Sequence, residues 1–221
     1  MQLVAVGGSD AGISAALRAQ ELDPETDVTV VVADAYPNFS ICGIPYYVSG
    51  EVTHWKNLAH RTLADLEATG MNLKLNTRAT TIDADAHKLV VMGADGTEQL
   101  LSYDALVIGT GAVSVRPPIS GLVGSQTLGP DDGIHLLHSM GDTFALMATL
   151  ENTAPTSAVI VGAGYIGLEM AEALVARGLS VTQVEALPDG AAQSAQGRRG
   201  LLVLYAFGYH PQAEVEGKRD R

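Results

Sequence analysis

Residues 158–167 have the sequence AVIVGAGYIG, a short apolar run followed by three glycines with the spacing G-x-G-x-x-G. In such a loop the first glycine permits a tight turn after a strand, the second lets the backbone approach a pyrophosphate, and the third lets a helix pack closely on the strand. The free N–H groups and the positive dipole end of that helix favour a bound phosphate. The pattern predicts a dinucleotide-binding β-α-β unit. The residues expected to contact the dinucleotide here are Gly162, Gly164, Tyr165, Ile166 and Gly167.

An acidic residue follows at the position that such a unit requires. Glu185 ends the next predicted strand, 23 residues after Gly162. A carboxylate about 20 residues after the first glycine accepts hydrogen bonds from the ribose hydroxyls, and it would repel a 2′-phosphate. The second loop is therefore predicted to bind NADH rather than NADPH.

A related loop lies near the N-terminus, where residues 3–12 have the sequence LVAVGGSDAG. It keeps the first and third glycines and has serine at the second position. Asp34, near the end of the next apolar run, is the candidate partner of the ribose, although an aspartate in a surface loop is the alternative interpretation. Two such loops in one chain predict two dinucleotides, usually a flavin and a nicotinamide. The predicted binding residues of this first site are Gly7, Gly8, Ser9, Ala11, Gly12 and Asp34.

Composition narrows the function classes. The chain has 221 residues, with 25 acidic and 13 basic side chains and a formal net charge of −12. Such an acidic chain is not expected to bind nucleic acid or an anionic membrane surface. No apolar run approaches the roughly 20 residues of a membrane span, and the N-terminus lacks the basic segment of a signal peptide. The single cysteine, Cys42, excludes an intrachain disulfide, and the predicted location is the cytoplasm.

No metal site is predicted. His135 and His138 lie three residues apart on an expected helix, near residues 134–151, and could in principle hold a metal ion. Because no third ligand has a suitable spacing, we interpret the pair as part of a helix surface.

Cys42 lies in residues 38–47, NFSICGIPYY. The segment follows the expected ribose-binding strand, so the chain is predicted to turn back over a bound cofactor, and a short helix could start at Pro45. A cysteine at such a helix start beside a flavin would be a reactive thiolate, whereas a buried, inert cysteine is the alternative. Local sequence alone does not decide between them.

The same ten residues resemble the S-F-x-x-C-G-x-P-Y-Y motif of coenzyme A disulfide reductases and of related NADH oxidases and persulfide reductases. These are single-cysteine members of the FAD-dependent pyridine nucleotide–disulfide oxidoreductases. Residues 103–112, YDALVIGTGA, resemble their Y-D-x-L-V-I-A-T-G-A segment, whose small residues pack against FAD, here Thr110 and Gly111. Residues 161–169, VGAGYIGLE, resemble their NADH-binding V-G-G-G-Y-I-G-x-E. The chain departs from the first motif at Asn38, where the family has serine, and at Ile41, where coenzyme A disulfide reductases often have asparagine.

The resemblance implies an oxidoreductase that passes electrons from NADH through FAD to Cys42. The acceptor would then be a small thiol, disulfide or persulfide, with coenzyme A as one candidate, or O₂. Family members are homodimers, and their dimerisation domain has no counterpart in this sequence. The resemblance stops near residue 188, so the chain is expected to be truncated. The alternatives are an inactive dinucleotide-binding fragment and an NADH:ferredoxin-type reductase, which needs no cysteine.

The expected fold class is α/β, with two Rossmann-like units of parallel strands and helices. A small antiparallel meander, near residues 71–101, is expected within the first unit, and the second unit is expected to be incomplete. The predicted divisions are an FAD-binding domain over 1–114, a linker and connecting helix over 115–155, a partial NAD(H)-binding domain over 156–188, and an atypical tail over 189–221.

Overall fold

The computed structural model describes residues 1–125 and 127–185, together with the backbone of residues 200–204. It shows two four-stranded parallel sheets and one three-stranded antiparallel sheet, with helices packed on the parallel sheets. The predicted α/β class is confirmed. The strands are β1 (Gln2–Val6), β2 (Asp27–Val31), β3 (Asn72–Lys74), β4 (Thr77–Asp83), β5 (Lys88–Gly93), β6 (Glu98–Ser102), β7 (Ala105–Ile108), β8 (Ile134–Leu136), β9 (Ser157–Val161), β10 (Ser180–Val184) and β11 (Gly200–Leu204). The helices are α1 (Asp10–Leu22), α2 (Ile44–Ser49), α3 (Leu63–Ala68), α4 (Met140–Thr153) and α5 (Tyr165–Ala176).

The first unit is built on the sheet β3-β2-β1-β7. Strands β1 and β2 pair in parallel with Val6 opposite Val31, and helix α1 connects them. Ile13 and Ala16 of α1 are completely buried against this sheet, because apolar residues at helical spacing form one face. The predicted β-α-β unit is therefore present.

The antiparallel sheet is shorter than the predicted meander. Residues 72–74 instead form β3, which pairs in parallel with β2, with Asn72 opposite Thr29. The meander consists of β4, β5 and β6. Leu89 and Val91 of its central strand are 0% and 1% exposed and belong to one apolar cluster with residues of β1. The prediction for residues 72–74 is wrong because a strand's register partner cannot be read from its own residues.

The second unit is built on the sheet β10-β9-β11-β8. The predicted helix over 134–151 is wrong at its start, since residues 134–136 form strand β8. Helix α4 begins only after Ser139, whose hydroxyl accepts a hydrogen bond from the backbone N–H of Asp142 while the Asp142 carboxylate accepts one from Ser139 N–H. This capping box fixes the helix start. His135 consequently lies on a strand, 1% exposed, and not on a helix surface.

The second sheet also includes strands from outside residues 156–188. The segment predicted as a linker and connecting helix, 115–155, contains helix α4 and also supplies strand β8, while residues 200–204, in the predicted tail, supply β11 between β9 and β8. The other residues of that predicted tail, beginning at 189, lie outside the described residues. In the described part of the chain, no helix has the length and apolar character needed to cross a membrane.

Helix α2 packs with the second unit although its sequence lies within the first. Ile44 and Val48 are 2% and 0% exposed. They share a hydrophobic cluster with Leu146 of α4, Ile160 of β9 and Leu174 of α5. The segment that carries Cys42 is therefore anchored in the core of the second unit.

Candidate functional site

The first glycine loop brings helix α1 into backbone contact with the sheet. Gly7 has φ +118°, a conformation that other residues rarely adopt, and a Cβ there would lie 1.9 Å from the carbonyl oxygen of Gly109. A Cβ at Gly12 would lie 1.9 Å from the carbonyl oxygen of Gly7. Only glycine fits these two positions. Their close packing places the N-terminus of α1, with its backbone N–H groups, directly at the loop.

The second glycine loop repeats this construction. Gly162 has φ +110°, and a Cβ at Gly167 would lie 2.1 Å from the carbonyl oxygen of Gly162. Gly164, by contrast, has no atom within 4 Å of the place that a Cβ would take. This open space at the N-cap of α5 is where a dinucleotide loop admits its pyrophosphate. Tyr165, the first residue of α5, is 89% exposed.

Glu185 lies at the second loop, as the sequence predicted. Its Oε2 accepts a hydrogen bond of 2.7 Å from the backbone N–H of Ala163. Gln183 Nε2 donates to the carbonyl oxygen of Gly162 at 2.9 Å. The carboxylate is therefore held beside the loop, at the carboxyl end of β10.

Asp34 is arranged differently at the first loop. Its Oδ1 accepts a hydrogen bond of 2.8 Å from the backbone N–H of Tyr36, and its carbonyl oxygen accepts one from Asn76 N–H at 2.9 Å. The side chain is exposed. The residue that faces the loop is Val32, whose Cγ1 would lie 2.6 Å from a Cβ built at Gly8. Sequence reasoning did not single out Val32, because its valine run predicted only a buried strand.

Residues after three neighbouring strands meet at one edge of the first sheet. Strands β1, β2 and β7 are parallel, so their carboxyl ends lie at the same edge of the sheet. The first loop follows β1, Asp34 follows β2, and the pair Thr110-Gly111 follows β7. Gly109 N–H donates to the carbonyl oxygen of Val6 at 2.7 Å, which ties the last of these segments to the first loop. Thr110 and Gly111 are exposed there. Crevices outside the carboxyl ends of parallel strands are the usual ligand sites of such sheets.

The Cys42 segment is hydrogen-bonded to the first loop by Asn38. The backbone N–H of Asn38 donates to the carbonyl oxygen of Gly8 at 2.6 Å, and Asn38 Nδ2 donates to Asp10 Oδ1 at 3.3 Å. Asn38 is 2% exposed and has φ +58°. The chain therefore turns back to the first loop after β2, and its passage over a bound cofactor stays a prediction.

Cys42 itself is exposed, in a short 3-10 turn over Ile41–Gly43 that leads directly into α2. The predicted helix start is confirmed within one residue, since α2 begins at Ile44 with Pro45 in its first turn. The alternative of a buried cysteine is wrong, because Cys42 is exposed, and its redox role stays a prediction.

Two groups of contacts attach this segment to the second unit, and neither was predicted. Arg177, the C-cap of α5, donates through Nε to the carbonyl oxygen of Val48 in α2, and its Nη2 lies 3.7 Å from Met147 Sδ. An aromatic cluster completes the attachment, with ring centroids 5.2–6.1 Å apart. Its members are Phe39 of the Cys42 segment, Tyr36 and Trp55 on either side of that segment in the chain, and Phe144 of α4.

Comparison with known proteins identifies relatives over most of the chain. A family model described as pyridine nucleotide-disulphide oxidoreductase matches residues 1–197. An NADH oxidase of Methanocaldococcus jannaschii is 31% identical over 190 residues, which cover 85% of this chain and 41% of that protein. A coenzyme A-dependent NAD(P)H sulfur oxidoreductase of Pyrococcus abyssi is 36% identical over 182 residues, covering 82% of this chain and 39% of that protein.

A solved structure shows the same fold. It is that of an NAD-dependent persulfide reductase from A. fulgidus, which matches with a TM-score of 0.78 and 35% identity, covering 86% of this chain and 34% of that one. The chain spans about two fifths of the length of the curated relatives it matches, 41% and 39% for the two named above.

Proposed function

Because this chain belongs to the pyridine nucleotide-disulphide oxidoreductase family, we propose that it binds FAD at the first glycine loop and NADH at the second, with Cys42 as its redox thiol. The net reaction would convert NADH, a proton and a small disulfide into NAD⁺ and two thiols. The observation that carries this proposal is the exposed Cys42 on a segment that Asn38 ties to the carbonyl oxygen of Gly8.

The residues present fit the two cofactors. The edge formed by Gly7 to Gly12 and by the exposed Thr110 and Gly111 suits a long dinucleotide, since its glycines pack closely and the first turn of helix α1 begins there. At the second loop, Gly164 leaves space for a pyrophosphate and Glu185 offers a carboxylate to a ribose. When bound, FAD and the nicotinamide supply the two-electron chemistry, while the protein orients them and presents the thiol.

The acceptor is proposed to be the disulfide or persulfide of a small thiol. Two relatives bear names of this kind, a coenzyme A-dependent sulfur oxidoreductase and a coenzyme A disulfide reductase. Coenzyme A is therefore the first thiol to test, with O₂ as the competing acceptor that the name NADH oxidase suggests for another relative. We place the reaction in the cytoplasm, where small thiols are kept reduced.

The test compares the wild-type chain with Cys42→Ser. Both proteins are titrated with FAD, followed by flavin fluorescence, and NADH consumption is then measured with coenzyme A disulfide. We expect both to bind FAD equally, while only the wild type consumes NADH in a disulfide-dependent way. Equal turnover by Cys42→Ser would refute the thiol role, and FAD binding without turnover in either protein would favour a dinucleotide-binding function alone.

A second test concerns nucleotide preference. Because the Glu185 carboxylate would repel a 2′-phosphate, NADH should bind more tightly than NADPH, by roughly 5- to 150-fold for a charge interaction of about 1–3 kcal/mol. Glu185→Gln keeps the shape of the side chain and should reduce this ratio. Tighter binding of NADPH to the wild type would refute the role given to Glu185.

A further inference from the structure

We infer that the two glycine loops recognise their nucleotides by different means, because Val32 stands in the first unit where Glu185 stands in the second. The inference rests on the proposed function, in which both loops bind dinucleotides. Val32 is then the residue that deprives the first site of a hydrogen-bond acceptor for the ribose hydroxyls.

The equivalence follows from the backbone of the two units. In each unit the first glycine of the loop donates its N–H to the last residue of the second strand. The two bonds are Gly7 N–H to Val31 O at 2.9 Å and Gly162 N–H to Val184 O at 2.8 Å. The residue that directly follows the acceptor is Val32 in the first unit and Glu185 in the second. Both therefore occupy one position relative to their loops.

The two side chains present opposite chemistry at that position. Glu185 is hydrogen-bonded to Ala163 N–H, so its carboxylate lies at the second residue of the loop. Val32 instead packs its two methyl groups against Gly8, the second residue of the first loop; they would lie 2.6 and 2.8 Å from a Cβ built there. Val32 is only 4% exposed. Methyl groups accept no hydrogen bonds, so no ribose hydroxyl is recognised at this point.

Asp34 does not replace the missing carboxylate. It lies two residues farther along the chain, beyond the equivalent position, and its Oδ1 already accepts the N–H of Tyr36. The first site then holds its nucleotide mainly through the loop backbone and the N-terminus of α1. A dinucleotide at this site is bound more weakly than a carboxylate at residue 32 would allow.

The inference predicts a gain of affinity on adding the carboxylate. Val32→Glu would place an acceptor near Gly8 N–H and the ribose hydroxyls, as Glu185 does at the second loop. One hydrogen bond to a charged group is expected to tighten FAD binding roughly tenfold or more. Val32→Gln is the matched control, because it has the same length and nearly the same shape without the charge, and it should gain less.

The experiment measures the FAD dissociation constant of the full chain by flavin fluorescence for wild type, Val32→Glu, Val32→Gln and Asp34→Asn, with folding checked by circular dichroism. We expect Val32→Glu to bind tightest and Asp34→Asn to match the wild type. A folded Val32→Glu that binds no more tightly than Val32→Gln overturns the inference, as does a tenfold or greater loss in Asp34→Asn. If Val32→Glu does not fold, the Asp34→Asn result decides alone.

The same titrations separate this inference from the proposed function. Wild-type binding of FAD with no gain in Val32→Glu contradicts only the role of Val32. If neither the wild type nor a folded Val32→Glu binds FAD, the assignment of FAD to the first loop is wrong, and the inference falls with it.

Discussion

Replacing Gly12 by alanine tests whether the first loop requires the close approach of helix α1 to strand β1. A Cβ at Gly12 would lie 1.9 Å from the carbonyl oxygen of Gly7, whereas real Cβ atoms essentially never come within 3.0 Å of another atom. About 1.1 Å of separation is therefore missing. Both sides of the contact are held by backbone, so the helix must move away from the sheet.

The destabilisation caused by this clash is partly offset by the higher helix propensity of alanine. Overpacking of this kind typically costs about 1–3 kcal/mol, and alanine returns about 0.5–1 kcal/mol through its higher helix propensity. We expect Gly12→Ala to lower the free energy of unfolding by roughly 1–2 kcal/mol, which lowers the thermal midpoint by about 2–8 °C for a chain of this size. FAD affinity should fall as well, because the N-terminus of α1 moves with the helix.

Gly141→Ala is the matched control, since Gly141 also lies in the first turn of a helix. The nearest atom to its added Cβ is Ser139 Oγ at 3.7 Å, an ordinary contact. This variant should therefore keep or raise the thermal midpoint, because alanine's helix propensity adds up to about 1 kcal/mol to the free energy of unfolding. Thermal unfolding followed by far-ultraviolet circular dichroism measures both. A Gly12→Ala protein that melts at or above the wild-type midpoint would refute the argument from close packing.

Two further predictions concern contacts within the second unit. Arg177→Met removes the guanidinium that donates to the carbonyl oxygen of Val48, and it should lower the free energy of unfolding by about 1–3 kcal/mol. The control is Arg18→Met, at an exposed ion pair, which should change that free energy by less than about 1 kcal/mol. Urea titrations measure both, and equal effects would contradict the anchoring role of Arg177. Burial holds the pKa of His135 below its usual 6.5, against a smaller opposing effect of the Asp142 carboxylate. As the pH falls, the imidazole is therefore protonated in the unfolded chain before it is protonated in the folded one. The stability that is present above about pH 6.5 is lost as the pH falls below that value. Unfolding midpoints at pH 7.5 and 5.5 should therefore differ more in the wild type than in His135→Leu, and an equal difference would show that His135 does not titrate on unfolding.

The sequence by itself determined the two β-α-β units and their loops. Glycine spacing, apolar runs and the following acidic residue are local signals, so the residue pattern alone is enough to place Gly162, Gly167 and Glu185 at one loop. The Cys42 motif also predicted its turn and the start of α2, because proline and glycine restrict the backbone at the positions where they stand.

Only the tertiary structure decided which elements pair and which side chains face each loop. Strand β8 spans three residues, too few to show a periodicity, and its strand conformation comes from pairing with β11. Helix α2 joins the core of the second unit through Ile44 and Val48, a long-range contact that no local pattern contains. Strand register likewise places Val32, and not Asp34, against the first loop. Pairing and register are set by neighbours distant in sequence. Because Val32 and Asp34 are two residues apart, the sequence alone did not show that the methyl groups of Val32, and not the carboxylate of Asp34, contact the loop.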